Sequence, residues 1–87
     1  MNKQEEGKTF PAVKIMYVIH SVFEDAVPNN KDYANSKTNN FLRRCGVDIN
    51  KPKEQLLDIK RIRDVVYSML DADSESKFWA RLNTINQ

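Results

Sequence analysis

Of the side chains in this 87-residue chain that could do chemistry, the single histidine, the single cysteine and a short acidic run stand out. His20 has Glu24 one helical turn further on, so the two can pair, but a lone histidine excludes any multi-histidine metal site. It lies at the edge of an apolar arc, where a histidine packs its ring and shows its polar tip. Cys45 follows Arg43 and Arg44, whose charge would lower the thiol pKa if they lay close to the sulfur. The alternative is a small core hydrophobe beneath Phe41. No spacing signal brings Cys45 to His20, so a nucleophile with its base is not expected.

Asp71, Asp73 and Glu75 imitate the start of a calcium loop. The loop needs glycine at its sixth position and glutamate at its twelfth, and this chain has Ser76 and Leu82 there. The three acids suit a helix N-terminus instead, where the dipole favours negative charge. With Gly7 and Gly46 the only glycines, a glycine-rich phosphate loop cannot be built. The chain therefore reads as a non-enzymatic binding protein with no cofactor and no metal.

Two kinds of partner fit. Residues 31 to 63 hold nine Lys or Arg against four acids, an excess of five within a chain whose net charge is +2. That asymmetry suits an anionic partner, though cations must sit on the surface of any fold. In a nucleic-acid reading Asn39, Asn40, Arg43 and Arg44 supply polar contacts, because Asn and Arg can bond bases in pairs. Lys53, Lys60 and Arg61 add charge for phosphates. Phe41 to Leu57 superficially resembles a helix-turn-helix, but the link from Gly46 to Asn50 is five residues where that motif has three or four.

Protein recognition is the preferred expectation. Leu57 falls near the middle of the polar side of its expected helix, and Val13 and Tyr17 lie outside the core arc of theirs. Apolar and aromatic residues kept in water and ringed by charge are what small partner-binding proteins display. The class expected is an inhibitor, immunity or adaptor protein whose partner is another protein, with nucleic acid as the alternative partner. The abundance of Asn and Lys would suit a phage or plasmid origin.

The N-terminus MNKQEEGK has no hydrophobic signal core, and one cysteine makes no internal disulfide, so a cytoplasmic location is expected. The longest apolar run, Ile15 to Ile19, is far short of the roughly 20 residues that span a bilayer.

The elements that position these residues are read from helical periodicity. Lys51 to Leu70 carries Leu56, Ile59, Ile62, Val65, Val66, Met69 and Leu70 on one arc of roughly 180°. With Asn50 as N-cap and Pro52 in the first turn, it is expected to be a long central helix. A second long helix begins with Thr9 as cap and ends at Pro28, its inner arc including Ile15, Ile19, Val22 and Phe23. Two short helices follow the same logic, Ser36 to Cys45 closed by Gly46, with Lys31 to Asn35 open to either state, and a last one capped by Asp73 or Ser74.

The fold class is thus an all-α bundle of four helices, two long and two short, around the central helix at about 51 to 70. Residues 1 to 8 are expected to be a disordered tail and 9 to 87 one domain. The expected core includes Ile19, Phe23, Phe41, Ile59, Ile62, Val66, Leu70, Trp79 and Leu82, with Val47 and Ile49 plugging one end. No strand is expected.

Overall fold

The computed structural model describes residues 8–85 and is a small all-α bundle of four helices, with a two-stranded ribbon at one edge. The expected tail, except for Lys8, lies outside the described residues. In order, the elements are strand β1 (Thr9–Pro11), helix α1 (Ala12–Ala26), helix α2 (Lys31–Arg44), a 3-10 turn (Pro52–Glu54), strand β2 (Leu56–Asp58), helix α3 (Ile59–Met69) and helix α4 (Ala72–Ile85).

The stretch expected to be one long central helix is three elements, and only Ile59–Met69 is α-helical. Pro52 starts a 3-10 turn, and Leu56 to Asp58 pair antiparallel with Pro11 to Thr9, Leu57 lying opposite Phe10. Gln55 holds the junction: its amide donates to the carbonyls of Asp48 and Lys51, and its own carbonyl accepts from the Ala12 N–H. Asp58, not Asn50, caps α3, its carboxylate accepting from the Lys60 N–H at 2.7 Å. The same pairing draws Thr9 to Pro11 into a strand, so α1 begins at Ala12.

With α3 shortened, the helix that packs along two others is α1, which lies against both α2 and α4. Its inner face buries Ala12, Ile15, Val18, Ile19, Val22 and Phe23, the arc its spacing dictates. α2 takes in the open stretch Lys31 to Asn35 ahead of Ser36, because Asn30 accepts from the Tyr33 N–H at 2.9 Å and nucleates the helix there. Its end is a Schellman turn: Gly46 N–H bonds to the Arg43 carbonyl and Val47 N–H to that of Leu42. Gly46 adopts φ +83°, the left-handed geometry glycine takes without a Cβ penalty. Val47 and Leu42, which this turn brings together, are both buried.

Seven of the nine expected core residues are buried; Leu70 and Trp79 are half-buried against the core edge. Val47 is buried, and Ile49 packs partly buried against the core. Phe41 and Phe78, from α2 and α4, meet at the centre with ring centroids 6.0 Å apart. α4 is capped by Asp71, which accepts from the Ser74 N–H at 2.8 Å, two and three residues before the expected caps Asp73 and Ser74.

Candidate functional site

Two of the residues that could do chemistry lie on different sides of the bundle. His20 is on the surface of α1, its Nε2 2.9 Å from the Asn35 side-chain oxygen and its Nδ1 3.5 Å from Glu24. Cys45 is buried at the end of α2, where loss of hydration pushes its thiol pKa up to about 11 against the opposing pull of Arg61. Such a thiol is not a nucleophile at neutral pH. Among the described residues, no group of three or more His, Cys, Asp or Glu is arranged to hold a metal ion, and no helix is long and apolar enough to cross a membrane.

α2 packs against α1 on one flank and against α3 on another, and each flank opens onto an outward face. On the first face Tyr17 stands 69% exposed on α1, between two grooves. One, of about 420 Å³, lies toward α2 and is lined by Met16, Tyr17, His20, Asn35, Thr38 and Asn39. The other, of about 320 Å³, lies toward α4 and is lined by Tyr17, Val18, Ser21, Arg81, Thr84 and Ile85. Among the described residues, no carboxylate lines either groove. Arg81, the one fixed charge among their described lining residues, hydrogen-bonds Ser21 and forms an ion pair with Asp25. That hydrogen bond holds the Asp25 carboxyl below its usual pKa of 3.8. Val13, one turn before Tyr17, is half-buried.

Leu57 does not join this face. It is 4% exposed, part of the core opposite Phe10, and its expected place on the surface is corrected. A strand alternates its side chains, so Leu57 points in while Leu56 is left 66% exposed. Helical periodicity had placed Leu57 on a polar side that does not exist, because residue 57 is not helical.

The second face is basic. Lys37, Asn40, Arg43 and Arg44 line a groove of about 470 Å³ between α2 and α3, with Ser68 and Met69 as its other wall. Arg61 reaches from α3 to the Arg44 carbonyl, 3.5 Å away, and joins this groove to a hollow holding Lys60, Asp58 and Asp64. Of the residues expected to meet an anion, Asn40, Arg43 and Arg44 line this groove, while Lys60 and Arg61 line the adjoining hollow, where Asp58 and Asp64 match their charge. Asn39 turns about 100° away from Asn40 into the groove between Tyr17 and α2. Lys53 is exposed in the 3-10 turn and lines neither groove. Arg43 and Arg44 also serve the fold, since cations in the last turn offset the negative end of the helix dipole.

Sequence reasoning did not anticipate Lys37, which spacing of three and seven residues aligns with Asn40 and Arg44. Nor did it anticipate Ile85, 43% exposed at the rim of the α1–α4 groove although its spacing puts it on the apolar stripe of α4. No protein-family model matches the chain, and no characterised protein or solved structure matches it either.

Proposed function

We propose that this is a small, non-enzymatic, cytoplasmic protein that works by binding another protein through the α1 face centred on Tyr17, in the manner of an inhibitor, immunity protein or adaptor. The observation that carries this reading is the 69% exposure of Tyr17 between two grooves with a nearly neutral lining. A tyrosine in water brings little to folding, whereas a rigid amphipathic ring beside apolar side chains is the usual anchor of a protein interface. Ile85, Met16 and the half-buried Val13 extend the apolar area around it. The distance between a surface His20 and a buried, protonated Cys45 supports a role without catalysis. The test is a photo-crosslinking residue placed at position 17: a discrete protein adduct formed there, and lost on competition with unmodified protein, supports the reading.

A further inference from the structure

We propose that the groove between α2 and α3 is a binding site for a compact ligand carrying two or more neighbouring phosphate groups. Its described walls hold the cations Lys37, Arg43 and Arg44 and no carboxylate, and Asn40 and Ser68 add hydrogen-bonding groups beside them. Among the described residues, no acid forms an ion pair with any of the three cations. Lys37 and Arg44, seven residues apart, are separated by about 10 Å along one side of α2, with Asn40 between them. The Lys37 ammonium lies 5.9 Å from the centroid of the Tyr33 ring, one turn back, a contact that leaves its charge uncancelled.

The groove also receives the negative ends of two helices, because Arg43 and Arg44 close α2 while Ser68 and Met69 close α3. Each end carries about half a charge, so together they offset about one of the three cations and leave about two positive charges for a ligand. Arginine forks, an ammonium and an amide make the walls rich in N–H donors. A phosphate group meets such walls in the least volume, with three acceptor oxygens and about 1.5 to 2 negative charges.

The site ends where the groove ends. In the hollow beyond Arg44, Lys60 and Arg61 face Asp58 and Asp64, so a long polyanion finds no further excess of charge there. The volume of about 470 Å³ suits a small molecule. No aromatic ring lines the described walls, so recognition rests on the phosphates and not on a base that they carry. This site goes beyond protein recognition at Tyr17 and does not depend on it, since it shares no lining residue with the Tyr17 grooves.

The test is isothermal titration calorimetry of the full chain at 50 mM salt. Tripolyphosphate, ATP and inositol hexakisphosphate are three sources of neighbouring phosphates; inorganic phosphate, citrate and 15-nucleotide oligo-dT are the comparisons. At least one of the first three is expected to bind about tenfold or more tightly than inorganic phosphate or citrate, the factor one further charge-assisted hydrogen bond supplies. Lys37→Gln, in the middle of α2 and away from its end, is expected to weaken that binding about tenfold, and Arg43→Gln with Arg44→Gln about a hundredfold. Lys51→Gln with Lys53→Gln removes as much charge beside the 3-10 turn and is expected to change affinity less than about twofold.

That preference with these variant effects supports the site, and the tightest of the three compounds names the source of the phosphates. Absence of binding by all three, equal binding of citrate or inorganic phosphate, tighter binding of oligo-dT, an unaltered affinity of Lys37→Gln, or an equal loss in the Lys51 and Lys53 variant overturns it. Tyr17→Ala is expected to bind the phosphate compounds as the parent does, so failure of this site is distinguishable from failure of the Tyr17 face.

Discussion

Phe10 and Leu57 face each other across the two-stranded ribbon, and both side chains enter the bundle core. This one pairing decides where two helices begin. It holds Thr9 to Pro11 out of α1 and Leu56 to Asp58 out of α3, and it turns Leu57 from a surface residue into a structural one.

Leu57→Ala is expected to destabilise the fold by about 2 to 5 kcal/mol, the cost of emptying a packed leucine site, while Leu56→Ala changes stability by no more than about 0.5 kcal/mol. Urea unfolding of the two variants measures both. A harmless Leu57→Ala together with a costly Leu56→Ala would put the strand in the other register.

What could be read before folding was what depends on one helix at a time. The inner arc of α1 is set by its own spacing, and so are the buried Ile59, Ile62 and Val66 of α3 and the glycine that closes α2. What could not be read depends on distant partners. Gln55 to Asp58 fits a helical pattern as well as an extended one, and a strand becomes the better choice only when Phe10, far away in sequence, supplies the pairing groups. The basic groove has the same origin: Arg43 and Ser68 become neighbours through the packing of α2 on α3. On α2 itself, the step from Asn39 to Asn40 separates two faces that adjacent numbers suggest are one.

Thr38 lies on the floor of the groove between α1 and α2, buried, and its hydroxyl has no hydrogen-bond partner among the described residues. A buried unsatisfied hydroxyl costs about 1 to 3 kcal/mol, and valine has the same shape without it. Thr38→Val is therefore expected to leave stability unchanged or raise it by about 1 kcal/mol, read from chemical denaturation. A loss above about 1 kcal/mol would mean that the hydroxyl has a bonding partner in solution.

Two exposed carboxylates link stability to acid. The Arg81 hydrogen bond lowers the pKa of Asp25, and the Ser74 backbone N–H lowers that of Asp71, both from 3.8. A carboxyl whose pKa is depressed by folding stabilises the native state above the unfolded value and loses that contribution as pH falls through the folded value. The melting temperature is thus expected to fall between pH 5 and pH 3. The double variant Asp25→Asn with Asp71→Asn should melt lower than the parent at pH 6 and fall less on acidification. An equal fall in both proteins would show that these two groups do not set the acid limb.

The claim that the α1 face recognises a protein is tested most directly by pairing stability with crosslinking at Tyr17. Tyr17→Ala is expected to change stability by no more than about 0.5 kcal/mol, because an exposed ring contributes little to the core. In extract of the source cells, a photo-crosslinking residue at position 17 is expected to give one discrete protein adduct, which excess parent protein suppresses and excess Tyr17→Ala does not. A markedly lower melting temperature for Tyr17→Ala, no adduct, or equal suppression by both competitors would contradict the account.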